Sequence, residues 1–145
     1  MAKVDTFGHA VYSWEQVEQF FDRIALPEKY RDHPVLKKRD AIESEEGGEF
    51  LALLHRYTLA AVPFENLELH YSPHHTISLD PQHLFHKIVE RGFGRGGYCL
   101  ETNTLFLVIL RTIGYDVYPA GARVSNVSES AMKSENWGGP RYGGW

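Results

Sequence analysis

The single cysteine of the chain, Cys99, stands in the segment RGGYCLETN at residues 95–103. It directly follows a glycine-rich turn and directly precedes an apolar run that extends to Ile113. That run predicts a mostly buried helix ending at Gly114, because glycine readily adopts the positive φ found at helix C-termini. Cys99 would then lie in the first helical turn, where unsatisfied N–H groups and the helix dipole favour a thiolate over a thiol. The pattern predicts a nucleophilic cysteine.

The residues just before Cys99 bear on the same question. Gly96 and Gly97 leave the backbone free to bend sharply and let a substrate approach the sulfur. Arg95 adds a positive charge. The competing interpretation is that Cys99 is a small hydrophobic residue without chemistry, and composition alone favours it. The glycine turn, the adjacent charges and the helix start are the features that argue for a nucleophile.

Two segments of the chain resemble motifs of one enzyme family. The segment at 95–103 resembles the active-site signature of the arylamine N-acetyltransferases, an Arg-Gly-Gly-aromatic-Cys-x-Glu-x-Asn pattern. The segment VPFENL at 62–67 resembles a second family motif that borders the active site, and the order and spacing of the two fit. Residues 110–117 resemble the exit from the cysteine helix into the next domain. The likeness runs from the first helix to Val124 and is nearest to fungal members.

This resemblance implies a fold. The chain would be mainly α, the N-terminal helical domain of a cysteine-protease-like acetyltransferase of the papain-like superfamily, plus the first strand of a truncated β-barrel domain. The expected domains are residues 1–114, which carry the cysteine, and residues 115–145, the start of the barrel. The segment from Tyr115 to Val124 alternates enough to predict a strand. The polar, glycine-rich remainder carries no secondary-structure signal.

The resemblance also implies a reaction in xenobiotic metabolism. An acetyl group, or a malonyl group, would pass from its coenzyme A thioester through a cysteine thioester to an arylamine or arylhydrazine, with no metal. Cys99 would be the nucleophile of a Cys-His-Asp triad. In the family the His and Asp lie in the barrel, whereas all eight histidines here precede Cys99. We therefore expect the chain to lack both, unless His55, His70 or His75 serves as a substitute base.

The same match assigns roles to other residues of the two motifs. A carboxylate near the sulfur opposes a thiolate unless a cation neutralises it, so Arg95 is expected to pair with Glu65 or Glu101. Phe64 and Tyr98 are expected to contact the substrate. The residues expected to support the site structurally are Arg95, Gly96, Gly97, Glu101, Asn103, Glu65 and Asn66.

Length and composition bound the class of protein. A chain of 145 residues, 43% hydrophobic and 13% aromatic, predicts a folded domain with a real core rather than disorder. The net charge of −4 and the pI near 6.0 argue against nucleic acid as a partner. No apolar run has the length of a membrane span, the N-terminus carries no signal pattern, and one cysteine cannot form an internal disulfide. These features predict a cytoplasmic protein.

Apolar residues at helical spacing predict three further helices. A capping box of Ser13 and Gln16 would start the first. Pro63 would end the second, and Asp80 followed by Pro81 would start the third. The predicted spans are about 14–26, 49–61 and 81–92, with a turn over 43–49 and an irregular or extended segment over 64–69.

Three alternatives complete the sequence interpretation. His83 and His86 lie one helical turn apart with Glu90 nearby, but without cysteine ligands we favour an exposed helix face and predict no metal. The chain could instead be a truncated, non-catalytic helical module, which slow alkylation of Cys99 would indicate. It could also be a cysteine peptidase or transglutaminase-like hydrolase, which turnover of peptide esters without coenzyme A would support.

Overall fold

A computed structural model describes residues 3–5, 8–91 and 94–121. This part of the chain is mainly helical, as predicted, with one small antiparallel pair of strands near its start. Two 3₁₀ helices, at Pro34–Leu36 and Arg39–Glu43, precede the longest helix. The strands and α-helices are β1 (Lys3–Val4), β2 (Ala10–Val11), α1 (Trp14–Arg23), α2 (Glu28–Arg31), α3 (Glu45–Ala61), α4 (Leu67–Tyr71), α5 (Pro81–Phe85) and α6 (Cys99–Ile113).

The first helix begins as the sequence predicts. The Ser13 hydroxyl accepts a hydrogen bond from the Gln16 N–H at 3.2 Å, and the Gln16 side chain accepts one from the Ser13 N–H at 3.0 Å. This reciprocal pair satisfies two N–H groups that a helix start leaves without partners. The helix ends at Arg23 rather than at residue 26, since Ala25 has a positive φ of 51°. The face predicted to be apolar is fully buried, with Val17, Phe20, Phe21 and Ile24 in the core.

The helix α3 begins four residues earlier than predicted, at Glu45, and includes the glycines assigned to a turn. Gly47 is buried inside it, and a Cβ at this position would lie 2.0 Å from the Ile42 carbonyl oxygen. The glycine is therefore needed for close packing against the preceding 3₁₀ helix and not for a turn. The helix ends at Ala61, ahead of Pro63, as predicted.

The helix α5 starts where the sequence places it. The Asp80 carboxylate accepts a hydrogen bond from the His83 N–H at 2.8 Å, and Pro81 occupies the first helical position. A π-helical turn at His86–Glu90 continues the helix. The predicted apolar residues Leu84, Phe85, Ile88 and Val89 are buried, together with one charged residue that was not predicted to be, Lys87.

The cysteine helix α6 confirms the prediction made from its sequence. It runs from Cys99 to Ile113 and ends at Gly114, which has a φ of 118°. It packs against α1, α5 and β2. Its inner face buries Leu105, Val108, Ile109 and Leu110.

Two segments differ from their predictions. Leu67–Tyr71 forms α4, where an irregular or extended segment was expected through residue 69. No strand forms over residues 115–121, although a strand was predicted from 115 to 124. In this segment the Val117 carbonyl accepts two hydrogen bonds from the Arg111 guanidinium. The last three residues of the predicted strand, and the glycine-rich tail, lie outside the described residues.

None of the described helices is long and apolar enough to cross a bilayer.

Candidate active site

Cys99 is an exposed free cysteine at the first position of α6. Tyr98 is the N-cap residue, so Cys99 lies in the first helical turn, as predicted. The helix behind it is anchored in the core by an apolar face. The cysteine is therefore accessible on a fixed support.

The two sequence motifs lie side by side. The Gly97 N–H donates to the Pro63 carbonyl at 3.3 Å, and the Glu65 N–H donates to the Gly97 carbonyl at 3.1 Å. These bonds form an isolated parallel bridge between Phe64 and Gly97. The segment at 62–67 thus holds the glycine turn directly before the cysteine.

The glycines of the turn are required by close approach. A Cβ on Gly96 would lie 1.8 Å from the Pro63 carbonyl oxygen, which no side chain can tolerate. A Cβ on Gly97 would lie 3.0 Å from the Glu101 Cβ. Neither residue has a positive φ. The structure shows close packing between segments at these two glycines, where the sequence had suggested freedom to bend.

An aromatic pair stands beside the cysteine in sequence. The rings of Phe64 and Tyr98 have centroids 5.4 Å apart and planes tilted by 43°. Phe64 is 67% exposed. The parallel bridge between the two motifs holds this pair in place.

Arg95 pairs with Glu65, one of the two partners that the sequence allowed. The Arg95 Nε lies 3.0 Å from the Glu65 Oε1. The second oxygen of Glu65 accepts a hydrogen bond from the Leu67 N–H at 2.6 Å. Glu65 therefore ties the glycine turn to the start of α4.

Glu101 pairs with Lys87, whereas the sequence offered Arg95 as its possible partner. Its side chain is fully buried, and its Oε1 accepts a hydrogen bond from the Lys87 Nζ at 2.8 Å. Its Oε2 accepts one from the Tyr98 N–H, also at 2.8 Å. Glu101 thereby connects the buried Lys87 to the residue that immediately precedes Cys99.

Lys87 was missed by the sequence interpretation. It is 3% exposed, and besides Glu101 its Nζ lies 2.9 Å from a Glu68 oxygen and 4.0 Å from a Glu65 oxygen. Burial lowers the pKa of Lys87, but the hydrogen bonds and charges of Glu101 and Glu68 outweigh it and raise that pKa above its ordinary value. Burial likewise raises the pKa of Glu68, yet Lys87 and His83 hold it below its usual value. Both shifts favour the charged forms of Lys87 and Glu68.

Arg23 was missed as well. Its guanidinium donates to three main-chain carbonyls, each at 2.9 Å, which belong to Ala61, Ile88 and Arg95. These carbonyls lie at the end of α3, in the π-helical turn and in the glycine turn. Burial lowers the pKa of Arg23, which three carbonyl acceptors make tolerable. One side chain thus joins three segments that meet behind the site.

The two asparagines of the motifs are exposed. Asn66 precedes α4 as its N-cap residue, but its side chain makes no capping hydrogen bond. Asn103 lies on the outer side of α6. Their expected supporting roles stay predictions.

Two of the histidines considered as substitute bases contact other residues. The ring of His55 lies 6.0 Å from that of Phe106, and the His75 Nδ1 lies 3.1 Å from the Leu69 carbonyl oxygen. No hydrogen bond joins Cys99 to His55, His70 or His75. A base role for any of the three stays a prediction.

The histidines considered as metal ligands contact carboxylates. The His86 Nδ1 lies 2.6 Å from a Glu90 oxygen, and the His83 Nε2 lies 3.2 Å from a Glu68 oxygen. Within residues 3–5, 8–91 and 94–121, no group of three His, Cys, Asp or Glu side chains could hold a metal ion.

Comparison with known proteins gives this site a family context. The sequence profile of the family described as N-acetyltransferase matches residues 49–136, which include both motifs. The chain belongs to the arylamine N-acetyltransferase family. This agrees with the resemblance found in the sequence.

Individual relatives agree with the family match. The chain is 40% identical to the N-malonyltransferase FDB2 of Fusarium pseudograminearum over 135 residues, 92% of this chain and 39% of the relative. It is 36% identical to the protein of the same name from Gibberella moniliformis, over 97% of this chain and 41% of the relative. The liver arylamine N-acetyltransferase of Gallus gallus is 29% identical over 82% of this chain and 36% of that protein. The chain thus spans about two fifths of the length of these relatives.

Proposed function

We propose that this chain is the cysteine-bearing part of an acyl-coenzyme A-dependent arylamine N-acyltransferase, and that Cys99 carries the acyl group. The observation that supports this most directly is the position of the exposed thiol. It stands at the start of a buried helix, on a turn fixed by Gly96 and by the parallel bridge of the two motifs. A nucleophile needs this combination of access and fixed geometry.

The reaction would proceed in two half-reactions. The Cys99 thiolate attacks the carbonyl carbon of the donor thioester, the carbon–sulfur bond to coenzyme A breaks, and coenzyme A leaves with the electron pair. The amine nitrogen of the acceptor then attacks the acyl-cysteine, the new carbon–sulfur bond breaks, and the amine loses a proton to a base. The family resemblance implies that a His oriented by an Asp is this base. All eight histidines precede Cys99, so none of them matches the triad His of the family in chain order.

Acceptor and donor can be proposed at the level of chemical class. The exposed ring of Phe64, tilted against Tyr98, offers an apolar face on which the ring of an arylamine or arylhydrazine could stack. Two relatives are named N-malonyltransferases and another an arylamine N-acetyltransferase, so both malonyl and acetyl coenzyme A are proposed donors.

The domain organisation is also part of the proposal. Residues 1–114 would form the helical domain of a papain-like acetyltransferase, and residues 115–145 would begin the following β-barrel domain. The mainly helical part that contains Cys99 supports the first of these assignments.

The test is intact mass spectrometry of the folded chain after incubation with acetyl or malonyl coenzyme A. We expect one acyl group on the wild type and none on Cys99→Ser. The donor that labels faster identifies the preferred acyl group. A wild-type chain that circular dichroism shows to be folded and that takes up no acyl group, or as much as Cys99→Ser, would contradict the proposal and favour a non-catalytic module.

A further inference from the structure

Lys87 is a buried cation among three carboxylates. Its side chain is 4% exposed, and the side chains of Glu101, Glu65 and Glu68 are 1%, 12% and 21% exposed. Transfer of an unpaired charge into such surroundings is costly, so a buried lysine is tolerated only with close partners. The contacts at 2.8 Å with Glu101 and 2.9 Å with Glu68 meet that requirement.

The contacts of Glu101 extend this cluster to the cysteine. One oxygen of Glu101 accepts from Lys87 and the other accepts from the N–H of Tyr98, the residue before Cys99. Without Lys87, a buried carboxylate would stand unpaired two residues from the sulfur in sequence. Its negative charge would oppose the thiolate.

Other charged groups face the same cluster and do not replace Lys87. Among the described residues, the cation within hydrogen-bond distance of Glu65 is Arg95, whose Nε lies 3.0 Å from it, whereas the Lys87 Nζ lies 4.0 Å away. His83 contacts Glu68 from α5 at 3.2 Å. Neither has an ion pair or hydrogen bond with Glu101, so within the part of the chain that the structure describes Lys87 is the cation that neutralises the carboxylate bound to the Tyr98 N–H.

We propose that Lys87 is a positioning residue for Cys99. It neutralises Glu101 so that this carboxylate can fix the Tyr98 N–H without suppressing ionisation of the thiol. The inference rests on Cys99 being the nucleophile, as proposed above. Lys87 lies outside both sequence motifs, yet it would contribute to the reactivity of Cys99.

The test is the rate of Cys99 alkylation by iodoacetamide, an uncharged reagent, measured across pH by intact mass. We expect Lys87→Met to react roughly 3- to 10-fold more slowly near pH 7, with an unchanged maximal rate at high pH, because one uncompensated charge then opposes the thiolate. Lys87→Arg should stay within about twofold of the wild type, since it keeps the charge. The matched control is Lys38→Met, an exposed lysine whose loss changes the net charge equally.

A double variant distinguishes this role from a general effect on folding. In Lys87→Met/Glu101→Gln the amide oxygen can still accept from the Tyr98 N–H, but the opposing charge is gone. We expect its profile to return to within about twofold of the wild type. If Lys87→Met does not fold, the comparison of the double variant with Glu101→Gln replaces it, and we expect equal rates.

Two results would overturn the inference. One is a Lys87→Met profile equal to that of Lys38→Met. The other is a double variant as slow as Lys87→Met, or slower than Glu101→Gln. A wild-type Cys99 that reacts no faster than the same thiol in the urea-unfolded chain is a separate outcome. It would contradict the nucleophile assignment itself, so the two failures are distinguishable.

Discussion

Arg23 should be among the residues on which the fold around Cys99 depends most. Its guanidinium donates to the carbonyls of Ala61, Ile88 and Arg95. These carbonyls lie in three different segments, and among the described hydrogen bonds no other side chain donates to all three. The informative perturbation is Arg23→Met, which keeps an unbranched apolar stem and removes every donor. We expect a large loss of stability and a disordered glycine turn.

The magnitude follows from the three bonds. A hydrogen bond to a charged group contributes about 1.5–3 kcal/mol net, but losses at one site are not additive, and water can reach some of the freed carbonyls. We therefore expect Arg23→Met to lower the free energy of unfolding by roughly 3–5 kcal/mol. That is a large share of the roughly 5–15 kcal/mol that stabilises a typical domain.

The assay is urea unfolding followed by far-UV circular dichroism. With a slope of about 2 kcal/mol per molar urea, the midpoint should fall by roughly 2 M, or the variant should show no folded baseline. The matched control is Arg56→Met, an exposed arginine on α3, whose change should stay within about 0.5 kcal/mol. Arg23→Lys should lie between the two, since an ammonium cannot reach three diverging carbonyls.

The reasoning would be refuted by a small effect. If Arg23→Met lowered the free energy of unfolding by less than about 1 kcal/mol, or no more than Arg56→Met, the three bonds would not hold the segments together. If the rate of Cys99 alkylation in Arg23→Met equals that of the wild type, the glycine turn is intact without the three bonds, and this would also contradict the reasoning.

Two further predictions concern a glycine and a tyrosine. Gly96→Ala should destabilise the chain in urea and slow acyl uptake by Cys99, because its Cβ would meet the Pro63 carbonyl at 1.8 Å. Gly48→Ala, which has open space, should instead stabilise α3 by about 0.5–1 kcal/mol, and equal effects of the two would refute this. Burial raises the pKa of Tyr115 to about 12 from 10.0, so the folded state keeps its phenolic proton longer than the unfolded state. The stability that this protonated phenol contributes to the folded state is complete below pH 10 and is lost as the pH rises through 12. Between pH 9 and 11 the urea midpoint of Tyr115→Phe should therefore fall less than that of the wild type. An equal fall would contradict the raised pKa of Tyr115.

The helices were predictable because local rules decide them. The spacing of Val17, Phe20 and Phe21, the capping box at Ser13 and the glycine at 114 each agree with the packing that the structure shows. The motif segments were predictable for a related reason. Both segments resemble motifs of one family, and that resemblance placed the segment at 62–67 beside the segment that contains Cys99.

The supports behind the site were not predictable, because they depend on which segments meet. Arg23 follows an apolar face in sequence and looks like an ordinary last-turn cation, and nothing local indicates that three carbonyls converge on it. Lys87 left a weak signal, since it lies beside Ile88 on the buried side of its helix. The strand expected after Gly114 was wrong for the same reason. Alternation predicts a strand only where a neighbouring strand can pair with it.

The measurement that tests the central claim most directly is the rate of acyl transfer from acetyl or malonyl coenzyme A to Cys99. It should be measured near neutral pH by intact mass, in the folded chain and in the same chain unfolded in urea. If the fold makes Cys99 a nucleophile, the folded chain should be acylated faster by roughly tenfold or more, with no transfer to Cys99→Ser. Equal or slower acylation of the folded chain would contradict the account and leave Cys99 an ordinary exposed thiol.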